Sequence, residues 1–167
     1  MELEAIRREY LRDGLRRSEL NDSPSQQFDL WMNQAIEAGV GDATAMTIAT
    51  AATNGTPSQR IVLLKHYDEA GYVFYSNYQS HKGKELSENS KVSLHFPWHG
   101  IERQVRITGS CTKTSARQSK DYFSSRPRQS QLAALISAQS DVVADRQALV
   151  DLYQQAEEKY QGSANLN

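Results

Sequence analysis

Residues 58–77, SQRIVLLKHYDEAGYVFYSN, combine two segments typical of β-strands with a turn between them. SQRIVLLKHY (58–67) and YVFYSN (72–77) are rich in β-branched, aliphatic and aromatic residues, and DEAG (68–71) has turn chemistry. Two cations, Arg60 and Lys65, stand at either end of an apolar run made of Ile61, Val62, Leu63 and Leu64. The sequence predicts a pair of strands, and the two cations are either solvated strand ends or anion ligands.

Further strands are predicted on both sides of this pair. AMTIATAA (45–52) precedes it, and TNGT (53–56) contains the Asn-Gly signal of a hairpin. KVSLHFPW (91–98) and ERQVRITGSCTKT (102–114) follow it. A run of about five antiparallel strands indicates a small barrel or a curled sheet.

Helices are predicted before, between and after the strands. Their periodicity, with Gly39 and Ser80 as caps, places them at residues 2–11, 26–39, 80–89, 115–126, 129–140 and 145–162. The elements predict an α+β, mainly β fold in a single domain over residues 1–167. Its parts are a helical N-terminal region (1–40), barrel strands (43–114) and C-terminal helices (115–162).

Composition argues against several classes of function. The net charge is -1, from 19 basic and 20 acidic residues, so nucleic acid is not the expected partner. The single cysteine, Cys111, cannot form an intrachain disulfide. We expect a cytoplasmic protein without a membrane span, because we find neither a signal peptide nor an apolar run of spanning length. The four histidines lack metal-ligand spacing, so no metal site is predicted.

The strand at residues 58–67 is the first candidate for anion binding. Strict alternation puts Arg60 and Lys65 on opposite faces, so the two side chains should serve two separate anions unless a bulge intervenes. The alternative is that both cations extend into solvent from the strand ends.

Two helix termini are further candidates. In NYQSHKGKEL (77–86) a loop leads into a helix start where Ser80, His81 and Lys82 favour a phosphate. In YFSSRPRQS (122–130), Tyr122 and Arg126 are one helical turn apart, and Ser130 begins the next helix. A phenol, a guanidinium and a hydroxyl would suit a phosphate monoester. The alternatives are an ordinary capped surface helix and a solvated helix end.

Gln104, in ERQV (102–105), is a candidate for a planar ring, since an amide both donates and accepts hydrogen bonds. The alternative is a polar strand face. Together these features suggest two phosphate sites and one polar contact to a ring.

The same residues resemble the pyridoxamine 5'-phosphate oxidase family over nearly the whole chain, from about residue 3 to residue 162. The resemblance is carried by RREY (7–10), GLRR (14–17), DATAM (42–46), QRIVLLKHYDEAGYVFYSN (59–77), VSLHFPWHGIERQVRITG (92–109), YFSSRPRQSQ (122–131) and QS (139–140). It implies a split β-barrel flavoprotein with flanking helices, which works as a homodimer and binds FMN between its subunits.

The resemblance also implies roles for individual residues. The FMN contacts would be Arg60, Ile61, Val62, Leu63, Leu64, Lys65, Tyr75, Ser76, His81, Lys82, Gln104 and, from the partner subunit, Gln139 and Ser140. The substrate contacts would be Lys65, the phosphate clamp of Tyr122, Arg126 and Ser130, and an N-terminal lid with Arg7 and Tyr10.

The implied reaction is oxidation of pyridoxamine 5'-phosphate, and of pyridoxine 5'-phosphate, to pyridoxal 5'-phosphate, with O2 as acceptor and hydrogen peroxide as by-product. An alternative is a non-catalytic split barrel that binds FMN or pyridoxal 5'-phosphate. A flavin or deazaflavin reductase on the same barrel is disfavoured by the second phosphate clamp.

Two departures from the family pattern bear on activity. Position 81 is His where the family usually has Arg, and a neutral imidazole would weaken the phosphate site. The family pattern also continues into a C-terminal segment with Trp-Gly-Gly and Arg-x-His motifs, which the 167 residues do not contain. We therefore expect weaker FMN binding and turnover than in a family member that has this segment.

Overall fold

The computed structural model describes residues 3–5, 9, 14–163 and 166. Leu3–Ala5 and Arg17–Glu19 form 3-10 turns. Arg7, Tyr10 and most of the helix predicted over residues 2–11 lie outside the described residues.

The strands build a five-stranded sheet in the order β3-β2-β1-β4-β5. Their bounds are β1 Ala45–Ala51, β2 Pro57–Asp68, β3 Gly71–Phe74, β4 Lys91–Trp98 and β5 Arg103–Ser110. The hairpin predicted at TNGT is confirmed, since β1 and β2 are neighbours and Gly55 takes a positive φ of 84° in the turn. The mainly β, mixed α+β prediction is therefore correct.

β3 is shorter than predicted, and this releases two candidate residues from the sheet. Its antiparallel pairing with β2 runs from Asp68↔Gly71 to Leu64↔Phe74. Tyr75 and Ser76 follow the last of these pairs and lie in the loop before the next helix. Tyr75 and Ser76, which were predicted to belong to the strand, are therefore loop residues.

Five α-helices are present in the described part of the chain: α1 Pro24–Glu37, α2 His81–Glu88, α3 Ala116–Ser125, α4 Arg128–Ile136 and α5 Arg146–Lys159. Ser80 caps α2 as predicted, accepting a hydrogen bond from the Gly83 N–H at 3.3 Å. α3 ends one residue early because Arg126 precedes Pro127 and takes an extended conformation. α4 ends at Ile136 rather than at residue 140, so Gln139 and Ser140 lie in a loop.

The chain divides into two compact units, and the first comprises Met1–Ile48, Gln59–Phe74 and Ser93–Thr108. Its core is centred on Phe28 of α1, whose ring packs edge-on against Tyr67, Tyr72 and Phe96 at centroid distances of 4.9 to 5.1 Å. Trp98 is buried beside them and donates its indole N–H to the Ala43 carbonyl at 2.9 Å. Aromatic burial thus fixes α1 on the sheet within this unit.

The second unit comprises Ala49–Ser58, Tyr75–Val92 and Gly109–Asn167. Leu132 of α4 and Ala156 of α5 are buried together, with Phe123 and Tyr153 packed against them. The loop 75–80, α2 and the C-terminal helices all belong to this unit. The prediction that residues 1–167 form a single domain stays a prediction.

No helix within the described ranges is long and apolar enough to cross a membrane.

Candidate functional site

The part of β2 in the first unit carries Arg60 on its more buried face. Side-chain exposure alternates, with Arg60 half-buried like Val62, while Ile61 is 71% exposed. The alternation breaks after Lys65, which is the extra residue of a β-bulge between Leu64 and His66. Arg60 and exposed Lys65 therefore lie on different faces, as alternation predicts, and the bulge changes the phase only beyond Lys65.

Gln104 of β5 is exposed in the same unit, and its amide oxygen lies 3.1 Å from His95 Nε2. An amide oxygen can only accept, so His95 Nε2 carries the proton in this pair. The amide nitrogen of Gln104 stays available as a donor on the strand surface.

In the second unit, the start of α2 holds a buried ammonium group. Lys82 is 6% exposed, and its Nζ donates to Ser76 Oγ at 2.7 Å, Ser80 Oγ at 3.0 Å and Gln139 Oε1 at 2.7 Å. The segments that meet here are the loop after β3, the N-cap of α2 and the loop after α4. The predicted cofactor residues Ser76, Lys82 and Gln139 are thus in direct contact.

The loop before α2 approaches the first turn of that helix closely because residue 83 is a glycine and has no Cβ. A Cβ at Gly83 would overlap the backbone carbonyl group of Tyr78. The loop is also held at Asn77, whose side-chain amide donates to the Ser137 carbonyl at 3.0 Å. Gly83 and Asn77 therefore hold the loop beside the Lys82 cluster, and neither was among the site residues predicted from the sequence.

Gln139 and Ser140 were expected to act from a partner subunit. Within one chain, the Gln139 side chain contacts Lys82 and also lies 3.4 Å from Ser76 Oγ. Ser140 is exposed and has a positive φ of 76°, an uncommon conformation for a non-glycine residue. Their role toward a partner subunit stays a prediction.

One predicted substrate residue, Tyr122, contacts one predicted cofactor residue, Tyr75, through a stacked pair of rings. Tyr75 and Tyr122 stack with centroids 3.7 Å apart and planes within 4°. Tyr122, Arg126 and Ser130 are each half-buried. Arg126 is the C-cap of α3, one helical turn after Tyr122, and its extended ψ turns the chain away only beyond this residue. Their joint contact to a phosphate stays a prediction. Ser130 does lie in the first turn of α4, as predicted.

His81 is exposed, and its Nε2 lies 3.7 Å from the Glu85 carboxylate one turn along α2. Glu85 is itself only 5% exposed and accepts hydrogen bonds from Thr50 and Ser58. Glu85 was not among the site residues predicted from the sequence. Its position, three residues after Lys82 and four after His81, is the signal that would have placed all three on one helix face.

The Lys82 cluster has the donor set that a phosphate requires. An ammonium group provides a charge, and the Ser76 hydroxyl can accept from that ammonium and donate to an anion in place of its long 3.4 Å bond to Gln139 Oε1. The Ser80 hydroxyl is fully buried and donates to the Asn77 carbonyl at 2.6 Å, so it orients the ammonium only as an acceptor. The backbone N–H groups at the start of α2 add further donors. In contrast, no cluster of His, Cys, Asp or Glu suited to a metal occurs among the residues that the structure describes.

Comparison with known proteins identifies relatives over nearly the whole chain. The sequence profile of the pyridoxamine 5'-phosphate oxidase family matches residues 32–160. Proteins named pyridoxine/pyridoxamine 5'-phosphate oxidase from Vibrio atlanticus and Photobacterium profundum are 54% and 53% identical to the chain over 160 residues. Those residues cover 96% of this chain and 76% of each relative.

Solved structures with the same fold support the match. PhzG from Burkholderia lata, in complex with tetrahydrophenazine-1-carboxylic acid, superposes with a TM-score of 0.82 at 25% identity, covering 88% of this chain and 74% of that one. A pyridoxamine 5'-phosphate oxidase-related, FMN-binding protein from Nostoc punctiforme superposes with a TM-score of 0.60 at 13% identity, covering 78% and 73%. The fold is the predicted split barrel with flanking helices. On the profile match and the identity to these relatives, the chain belongs to the pyridoxamine 5'-phosphate oxidase family.

Proposed function

We propose that the protein is an FMN-dependent oxidase that converts pyridoxamine 5'-phosphate, and pyridoxine 5'-phosphate, to pyridoxal 5'-phosphate with O2 as acceptor and hydrogen peroxide as by-product. Family membership supports the reaction class. The observation that carries the proposal is the buried Lys82 ammonium, which is surrounded by hydroxyl and amide oxygens and suits a cofactor phosphate.

The proposed FMN ligands are those that the family resemblance implies. The phosphate ligands would be Arg60 of β2, His81 and Lys82 of α2, and Ser76. Gln104 of β5 would contact the flavin ring, and further FMN contacts would be Ile61, Val62, Leu63, Leu64, Lys65 and Tyr75, with Gln139 and Ser140 from a partner subunit. When bound, FMN supplies the redox chemistry, since none of the side chains in these sets accepts electrons.

The proposed substrate ligands are cationic or hydroxyl-bearing. Lys65, Tyr122, Arg126 and Ser130 would hold the substrate phosphate, and Arg7 and Tyr10, outside the described residues, would close over the substrate. A guanidinium offers paired donors to a phosphate, while a phenol and a hydroxyl each offer one. These groups bind and orient the substrate and exclude water from it, and no nucleophile among them is required.

The assembly and location in the proposal are a homodimer in the cytoplasm, with FMN at the subunit interface. The exposed apolar side chains of Ile61 and Leu63 on β2 are consistent with a surface that a second subunit covers. In this arrangement, Gln139 and Ser140 would act toward the partner's cofactor.

The visible absorption spectrum of the purified chain tests the function. It is recorded before and after addition of FMN, and then after pyridoxamine 5'-phosphate is added without oxygen. We expect a flavin band that shifts on binding and bleaches with the substrate. A bound flavin that does not bleach would support the alternative, a non-catalytic FMN-binding barrel. The absence of any bound flavin would refute the proposed cofactor.

A further inference from the structure

A buried carboxylate lies on the same helix as the proposed phosphate ligands. Glu85 of α2 is 5% exposed, and its oxygens accept from Thr50 Oγ1 at 2.5 Å and from Ser58 Oγ at 2.7 and 2.8 Å. The Thr50 and Ser58 hydroxyls are themselves 3.4 Å apart. A carboxylate is costly to bury unless hydroxyl or amide donors replace water, and here the two hydroxyls provide that replacement.

This hydroxyl–carboxylate cluster, formed by Thr50, Ser58 and Glu85, connects α2 to two strands. Thr50 belongs to β1 and Ser58 to β2, and both lie in the same compact unit as α2. A further contact holds the C-terminal end of α2, where the Asn89 side chain donates to the Ala51 carbonyl at 3.2 Å. The helix is thus fixed by directional hydrogen bonds at its centre and at its end.

The same helix face carries the Lys82 ammonium. Glu85 follows Lys82 by three residues and His81 by four, so the three side chains lie within one turn of one another. A rotation or shift of α2 would carry Lys82 Nζ away from its oxygen partners, because Ser76 and Gln139 are on loops outside the helix. The position of Glu85 is therefore coupled to the geometry of the Lys82 site.

We propose that Glu85 is a positioning residue, which holds α2 through Thr50 and Ser58 so that Lys82 and His81 are aligned for the cofactor phosphate. The inference rests on the proposed function, because it assigns a phosphate to Lys82. Glu85 itself does not touch the phosphate, since two carboxylate oxygens near an anion would repel it. If Glu85 acted only through its charge, loss of that charge would strengthen phosphate binding. The positioning role predicts the opposite, because loss of the carboxylate weakens the hold on α2 and therefore weakens phosphate binding.

The test compares FMN with riboflavin, which has the same ring and no phosphate. Dissociation constants are measured by flavin fluorescence quenching for the wild-type chain and for Glu85→Gln. We expect Glu85→Gln to weaken FMN about tenfold, the change that corresponds to one charge-assisted hydrogen bond, and to leave riboflavin unchanged. Glu88→Gln is the matched control, since it removes an exposed carboxylate from the same helix and should change neither constant.

A second pair of variants covers the case in which Glu85→Gln does not fold. Thr50→Val removes the hydroxyl at nearly constant volume, and Thr50→Ser restores it. We expect Thr50→Val to weaken FMN selectively and Thr50→Ser to bind it as the wild type does. Unchanged or tighter FMN binding in Glu85→Gln or Thr50→Val would overturn the positioning role alone. A wild-type chain that binds FMN no better than riboflavin would overturn the phosphate assignment, and the inference with it.

Discussion

The ring of Tyr75, in the loop after β3, stacks on the ring of Tyr122 in α3, with centroids 3.7 Å apart and planes within 4°. The first residue is proposed to contact the cofactor, and the second to bind the substrate phosphate. Aromatic pairs of this kind contribute roughly 0.5 to 1.5 kcal/mol beyond the area that they bury. The stack therefore fixes the orientation of the Tyr122 phenol before a ligand arrives.

The first prediction tests the role of the Tyr122 hydroxyl separately from that of its ring. Tyr122→Phe keeps the stack and removes a donor to the substrate phosphate, so we expect KM for pyridoxine 5'-phosphate to rise about tenfold with little change in kcat. The measurement is steady-state hydrogen peroxide formation. Tyr78→Phe, which alters an exposed tyrosine, is the control. An unchanged KM in Tyr122→Phe would remove Tyr122 from the phosphate clamp.

A companion substitution tests the stack itself. Tyr75→Phe keeps an aromatic ring opposite Tyr122, whereas Tyr75→Leu does not. We expect KM to rise in Tyr75→Leu and to stay near the wild-type value in Tyr75→Phe, since only the ring orients the phenol. An equal rise of KM in both variants would show that the Tyr75 hydroxyl, rather than the stack, orients Tyr122. An unchanged KM in both would show that neither does.

The second prediction concerns the buried ammonium. Lys82→Met keeps an unbranched side chain that is one heavy atom shorter and removes the charge, leaving the Ser76 and Ser80 hydroxyls without the ammonium. We expect FMN binding to weaken by about 2 kcal/mol, roughly thirtyfold, because the phosphate loses a charge-assisted donor. Fluorescence quenching of FMN is the measurement, and Lys84→Met, on the exposed side of the same helix, is the control. Equal affinities of the two variants would argue against a phosphate at Lys82.

The local sequence was sufficient to predict the helix that carries Lys82, but not the contact between Lys82 and the loop that contains Gln139. Ser80 is recognisable as an N-cap from the residues around it, and α2 begins where that cap predicts. The contact between Lys82 and Gln139 joins positions 57 residues apart, and no local pattern encodes such a separation. A bulge in β2 was an open alternative in the sequence, and its position at Lys65 depends on how β2 and β3 pair. The buried network of Glu85 was missed because a glutamate in a charged helix is ordinarily solvated.

The third prediction uses the close approach at Gly83. A Cβ there would overlap the Tyr78 backbone, which cannot move aside as a flexible side chain would. We expect Gly83→Ala to lower the free energy of unfolding by about 1 to 3 kcal/mol, or to displace the loop before α2. Urea denaturation is the measurement. Gly109→Ala is the matched control, since a Cβ at Gly109 meets nothing within 4 Å.

The outcome at Gly83 also bears on the site. If the loop moves instead of the fold weakening, FMN affinity should fall while the unfolding midpoint is retained, because Ser76 and Ser80 are on that loop. A Gly83→Ala variant with both wild-type stability and wild-type FMN affinity would contradict the close packing of α2 on Tyr78.

The fourth prediction concerns stability at alkaline pH. The Tyr67 hydroxyl donates to Asp29 Oδ1 at 2.7 Å, and burial, together with this bond and the charge of Asp29, raises the pKa of Tyr67 from 10.0 to about 12. The unfolded chain therefore loses this proton first as pH rises. The stabilisation is fully present below pH 10 and is lost as pH rises from 10 through about 12.

The measurement is the free energy of unfolding in urea for the wild type and for Tyr67→Phe, below pH 10 and in the range between 10 and 12. Phenylalanine does not ionise, so we expect the difference between the two proteins to be constant below pH 10 and to move in favour of Tyr67→Phe above it. Asp29→Asn keeps the phenol and removes the carboxylate, and should show a smaller alkaline loss than the wild type. Parallel curves for wild type and Tyr67→Phe would mean that the phenol ionises alike in the folded and unfolded chains, which would contradict its pairing with Asp29.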